Sequence, residues 1–142
     1  MNTDTTLQHQ NILPGDGTVI YFGKIVPEDQ ADLYFNVFMN SIEWKNDEAI
    51  IFGKKIITKR KVAWYGDAGF SYTYSKTTKV ALSWTKELLE LKLMIEKISG
   101  TQYNSCLMNL YHSGDEGVSC HSDDEKSLGD SPNIASFSLG AE

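Results

Sequence analysis

His121 and Asp123 are separated by one residue, and on an extended chain that spacing points an imidazole and a carboxylate the same way. Together they can grip one metal ion. A triad of two histidines and one carboxylate holds Fe(II) on one face and leaves positions open for a co-substrate and dioxygen. This pair supplies all but one histidine of that set. Only His9, in a polar N-terminal tail, and His112, in the approach to the site, remain, and neither is placed to complete it. Surface strands carry His-x-Asp pairs by chance, so the pair gains meaning from its surroundings.

Asn109 and Tyr111 sit two apart in the apolar run from Cys106 to Tyr111, which puts an amide and a phenol on one face of a strand. Two polar groups aimed at a shared interior point to a bound polar ligand. The plainer alternative is a buried pair satisfied by neighbouring backbone. Trp64, Tyr65, Phe70, Tyr72 and Tyr74 cluster around Gly66 and Gly69, and Tyr72 and Tyr74 share a face by strand periodicity. Flat aromatic faces hold an extruded base at ~1 to 3 kcal/mol per stack, and a phenol adds a hydrogen bond to its edge. Half-buried strand tyrosines are the ordinary alternative.

These segments, together with His121-Ser122-Asp123-Asp124-Glu125, Trp64-Tyr65-Gly66-Asp67 and the run from Ile134 to Ala141, resemble the AlkB-like Fe(II)/2-oxoglutarate dioxygenases that repair alkylated nucleic acid. The similarity is to their duplex-DNA repair branch, and the blocks follow family order over roughly residues 50 to 141. The resemblance implies oxidative chemistry in which an N-alkyl carbon is hydroxylated, 2-oxoglutarate leaves as succinate and CO2, and the unstable product sheds an aldehyde. It makes His121 and Asp123 iron ligands and Asn109 and Tyr111 contacts of 2-oxoglutarate. Tyr74 would stack on the damaged base opposite His121, with Tyr72 as a polar contact and Glu125 at the exocyclic edge of the base. Asp124 would support the ligands from behind. The implied cofactors are Fe(II) and 2-oxoglutarate, and the implied partner is alkylated DNA, with RNA as the alternative.

Positioning these groups requires a fold, and the expected class is α+β, mainly β: a double-stranded β-helix of jelly-roll type with N-terminal helices. Residues 1–17 are polar and punctuated by glycine, and they are expected as a mobile arm before a dioxygenase domain over 18–142. Thr18 to Phe22 reads as a strand. Pro27, with Glu28 and Asp29 beside the positive end of the dipole, predicts a helix to about Asn40 whose apolar face holds Leu33, Val37 and Phe38. Ser83 is the expected cap of a second helix with a stripe of Leu88, Leu91, Ile95 and Ile98, closed by Gly100.

Ala49 to Phe52, Gly53-Lys54-Lys55 and then Ile56-Ile57 predict a hairpin turning at Gly53. The resemblance makes this hairpin a base-flipping finger, with Phe52 as the apolar wedge that replaces lost stacking and lowers the cost of unpairing. The ordinary reading is a core Phe at a hairpin end. Lys54, Lys55, Lys59, Arg60 and Lys61 put five of the 13 basic residues into one short strip, expected to track the nucleic-acid backbone despite a net charge of -6. A solvated charged face is the plainer account.

The length of 142 residues suits one domain, and no apolar stretch approaches the ~18 residues of a membrane span, so an intracellular enzyme is expected, cytoplasmic, or nuclear in a eukaryote. Full-length, it is expected to be a monomer. Cys106 and Cys120 lack CxxC spacing and are expected as reduced, buried thiols. The acidic run near His121 does not have the spacing of a calcium loop. The family pattern continues past Ala141 with strands bearing the second iron histidine and two arginines for 2-oxoglutarate. Those closing strands are absent from the sequence, which predicts open sheet edges, marginal stability and little turnover. The rival functions are a non-catalytic nucleic-acid-binding module, or pseudoenzyme, of the same fold, and a dioxygenase acting on protein or a free metabolite.

Overall fold

The structure is a computed structural model that describes residues 10–74, 77–118, 120–121 and 128–141, with backbone alone at 49–51, 72–74 and 77–79. The chain forms two compact units, Met1–Asn36 with Leu139–Glu142, and Val37–Ser138. No helix among the described residues is long and apolar enough to cross a membrane.

In the first unit, the Asn11 side chain closes a loop. Its Oδ1 accepts from the Leu13 and Val19 amides at 3.1 and 2.8 Å, and its Nδ2 donates to the Gly17 carbonyl at 3.0 Å. The strand expected over Thr18–Phe22 is reduced to a single bridge, Asn11 to Ile20, because no further backbone ladder forms there. Gly140 lies so close to Phe35 that a Cβ would meet the ring at 3.1 Å.

Helix α1 spans Glu28–Ser41, with Glu28 and Asp29 in its first turn and the Pro27 carbonyl accepting from the Ala31 amide at 2.9 Å. Its buried stripe is Tyr34 and Phe38, continued by Ile42, whereas Leu33 is 61% exposed. Leu33 was expected inside. Tyr34 and Phe38 are one helical turn apart and fix the facing direction, which leaves Leu33 about 100° away on the wet side.

The second unit is built on β2, Lys54–Gly66, whose neighbours are β1, Lys45–Ile51, and β6, Ser105–Leu110, both antiparallel, and the short parallel β5, Leu82–Ser83. β1 and then β5 run along one edge of β2, and β6 occupies the other. Strands β3, Ser71–Tyr74, and β4, Thr77–Val80, form a separate antiparallel pair. Helix α2, Lys86–Ser99, starts at Thr85, whose hydroxyl accepts from the Leu88 amide at 3.2 Å. Ser83 was the expected cap, but it is held in β5. Gly100 ends the helix at φ 69, its amide bonding the Glu96 carbonyl, as a left-handed terminal residue does. Of the expected stripe, Leu88 and Leu91 are buried and Ile98 is 37% exposed.

Phe38, Ile42, Ala63, Tyr65, Leu88 and Leu91 make up the enclosed core of this unit. Among the described residues β6 is the last strand, and 128–141, including the strand-like run from Ile134, form no ladder. An apolar run becomes a strand only when another edge accepts its hydrogen bonds. The result is a mixed sheet with two helices.

Candidate functional site

Strand β6 delivers Asn109 opposite Val62, and Leu107 opposite Trp64. Alternation therefore separates two faces: Ala63 and Tyr65 go into the core, while Val62, Trp64, Leu107 and Asn109 share the other side. Val62 and Trp64 on that second face are half-buried, whereas Leu107 is 62% exposed and Tyr111, just past the strand end, 43% exposed. Asn109 and Tyr111 are thus not a buried pair. The amide of Asn109 is held by Arg60, whose Nη1 donates to Asn109 Oδ1 at 3.1 Å, while Nη2 pairs with Asp47 Oδ2.

The loop after β6 is fastened by Glu116. Its Oε2 accepts from the His112 amide at 3.1 Å and lies 3.0 Å from His112 Nδ1. The donated backbone N–H, followed by the imidazole contact, holds the Glu116 carboxyl below its ordinary pKa. His112 therefore serves loop closure. His121 is exposed and lies outside the named helices and strands, whereas Asp123 and Glu125, with Ser122 and Asp124, fall outside the described residues. Among the described residues no group of three histidine, cysteine or acidic side chains converges.

At the other end of the sheet, Phe52 and Gly53 are the two residues between paired Ile51 and Lys54, with φ of 49 and 74. Two positive φ values define a type I′ turn, which matches strand twist and favours Asn-Gly. Phe52 occupies the first of these positions with its ring 101% exposed, so it is not a core residue. Lys54 and Lys59 are exposed, Lys61 is half-buried, and Lys55 pairs with Glu48 at 2.8 Å on the surface. Arg60, counted with this basic strip in the sequence, is turned inward to Asp47 and Asn109 with its side chain 16% exposed. Tyr72 and Tyr74 both lie in β3, opposite Lys79 and Thr77.

A polar cleft of about 410 Å³ is lined by Asp67, Lys92, Glu96, Gln102, Tyr103 and Asn104. Lys92, Glu96 and Tyr103 are bonded among themselves there. Glu96 accepts from the Tyr103 amide at 2.8 Å and pairs with Lys92 at 3.2 Å, and the Tyr103 N–H, above all, keeps its carboxyl below the ordinary value. Asp67 takes the Trp84 indole N–H at 2.8 Å. Cys106 and Cys120 are free thiols; burial pushes Cys106 up to about 11, whereas Cys120 is exposed, against the expectation that both are inside. The Asp47–Arg60–Asn109 link escaped sequence reasoning, because nothing in one dimension relates positions 47 and 109.

The family model of the 2OG-Fe(II) oxygenase superfamily matches residues 18–142, and the chain belongs to that superfamily. An alpha-ketoglutarate-dependent dioxygenase alkB homolog 3 of Bos taurus is 41% identical over 113 residues, 79% of this chain and 39% of that protein. Its Homo sapiens counterpart is 37% identical over 128 residues, covering 89% and 44%. The DNA oxidative demethylase ALKBH2 of Mus musculus is 34% identical over 129 residues, covering 89% and 52%. The chain spans about half the length, or less, of these curated relatives.

Proposed function

We propose that this chain acts in the oxidative dealkylation of N-alkylated bases in DNA, using Fe(II), dioxygen and 2-oxoglutarate and releasing succinate, CO2 and an aldehyde. The observation that carries the nucleic-acid part is Phe52. A bulky L-residue at positive φ costs about 1–2 kcal/mol, and a fully exposed ring returns no burial to offset it. That combination makes sense where the ring is used outside the fold, inserted into a base stack when a nucleotide is extruded. Lys54, two residues from it, and Lys59 and Lys61, further along the same strand, supply local positive charge in a chain of net charge -6.

The donor chemistry fits the iron group: the His121 imidazole and the Asp123 carboxylate would hold Fe(II), which when bound supplies activation of dioxygen for hydroxylation of the alkyl carbon. The Asn109 amide and the Tyr111 phenol, both on or beside the Leu107 face of β6, would bind 2-oxoglutarate oxygens. Tyr74 would stack on the damaged base, Tyr72 would contact it, and Glu125 would meet its exocyclic edge. The sheet belongs to a jelly roll in this reading. The names of these relatives, alkB homolog 3 and DNA oxidative demethylase, support the same substrate class.

Anaerobic titration with Fe(II) and 2-oxoglutarate tests the metal chemistry: the visible charge-transfer band of a keto acid chelated to iron is expected when a third ligand joins His121 and Asp123, and no band is expected from that pair alone. Competition between methylated and unmethylated oligonucleotides tests the substrate. Preference for the methylated duplex, lost in Phe52→Ala, is the expected outcome. Equal binding of both oligonucleotides by the unsubstituted chain would remove the repair reading, and preference for methylated RNA would move it to that substrate.

A further inference from the structure

Between the pairs Asn46 with Lys61 and Glu48 with Ile57, strand β1 carries one residue, Asp47, and strand β2 carries three, Thr58, Lys59 and Arg60. This bulge is pinned locally. The Thr58 hydroxyl lies 3.3 Å from the Asp47 carbonyl and 2.8 Å from the Arg60 carbonyl, and Asn46 Nδ2 donates to the Thr58 carbonyl at 2.9 Å. A bulge re-aims the side chains around it. Here the guanidinium of Arg60 comes to lie between Asp47, on the finger hairpin, and Asn109, on β6, with one Nη for each. The Arg60 and Asp47 side chains are only 16% and 24% exposed, so the pair is largely shielded from water and salt.

Guanidinium has donors and no acceptor, so the atom it meets on Asn109 must be the carbonyl oxygen. That bond fixes which way round the amide sits. The N–H2 end is then turned away from Arg60, as a double donor for an oxygen-rich anion. We infer that Arg60 is a positioning residue: anchored by Asp47, it fixes the orientation of the Asn109 amide and joins the base of the finger hairpin to the co-substrate end of β6. The inference rests on the proposed reading of Asn109 as a 2-oxoglutarate contact. Arg60 is the single arginine in the sequence, and lysine cannot replace its fork, because one ammonium lacks the spread to serve both partners with the same geometry.

The competing idea is that Arg60 binds an anion directly, and the two predict opposite signs. In Asp47→Asn an anion-binding Arg60 is released from its carboxylate and 2-oxoglutarate binds more tightly. A positioning Arg60 loses its anchor and 2-oxoglutarate binds about fivefold more weakly, the worth of one neutral hydrogen bond. The full chain, labelled with 15N, is titrated with 2-oxoglutarate in the presence of redox-inert Zn(II), and the side-chain amide resonances of Asn109 are followed. Asp47→Asn and Arg60→Lys should both displace those resonances and weaken binding. Arg60→Lys keeps the charge beside Asp47 and carries the comparison if Asp47→Asn does not fold. Tighter binding by Asp47→Asn, or Asn109 resonances unmoved in both variants, overturns the inference. If the unsubstituted chain takes up no 2-oxoglutarate, the co-substrate reading of Asn109 fails, and the resonances alone decide whether Arg60 orients the amide.

Discussion

Strand β2 lives in two environments. From Lys54 to Ile57 every residue is exposed, including Ile56 at 43% and Ile57 at 63%, and the only ladder is to β1. From Lys61 to Gly66 the strand gains β6 on its other edge, and Ala63, Tyr65 and Gly66 are buried. The Thr58–Arg60 bulge marks the boundary between them. A two-stranded ribbon is marginal alone, whereas added strands and a covered face make a sheet stable. The lesson is one of division of labour: the inner half anchors, and the outer half projects apolar and basic side chains into solvent, with Lys55 paired to Glu48 on the surface.

The largest effect expected from breaking that division is at Tyr65, 4% exposed, whose hydroxyl accepts from the Glu43 amide at 3.3 Å. Tyr65→Ala should lower the unfolding free energy by ~3–5 kcal/mol in urea denaturation, and a loss under 1 kcal/mol would mean that the inner half is not the anchor. Next comes Gly66→Ala. The new Cβ would meet Ala81 Cβ at 3.1 Å and the Asn104 carbonyl at 3.2 Å, atoms fixed by neighbouring backbone, so a loss of ~1–3 kcal/mol should appear in the same assay.

The outer half should respond in the other direction. Phe52→Asn places the preferred residue at the first position of a type I′ turn, and stability should rise by about 1 kcal/mol while discrimination for methylated duplex falls. A fall in stability would show that Phe52 has a folding role. The smallest effect at neutral pH concerns Cys106, paired with Tyr65 in the inner half. Its thiol pKa is raised from 9.0 to about 11 in the fold, so the unfolded chain loses that proton first. Stability should therefore be fully present below pH 9 and decline as pH rises from 9 to 11, with Cys106→Ala removing that part of the decline. Consistent with this, a thiol reagent should label exposed Cys120 well before Cys106.

The sequence by itself determined what is local. Asp-Glu content at the start of α1, Gly100 at the end of α2, and Gly53 between two apolar arms act through backbone geometry within a few residues, and all three features stand in the structure. Period-2 alternation likewise holds along β6, where Leu107 and Asn109 share one face. Local rules misplaced the cap of α2 at Ser83 because a two-residue pairing with β2 claims it, and misplaced Leu33 because two aromatic neighbours set the facing of α1. Only the tertiary structure decided that Arg60 leaves the basic strip for Asp47 and Asn109, and that Phe52 stands fully in solvent. The physical reason is common to both: exposure and long-range pairing depend on which strand edges and faces are covered, and a one-dimensional pattern states a residue's neighbours along the chain without stating its neighbours across the sheet.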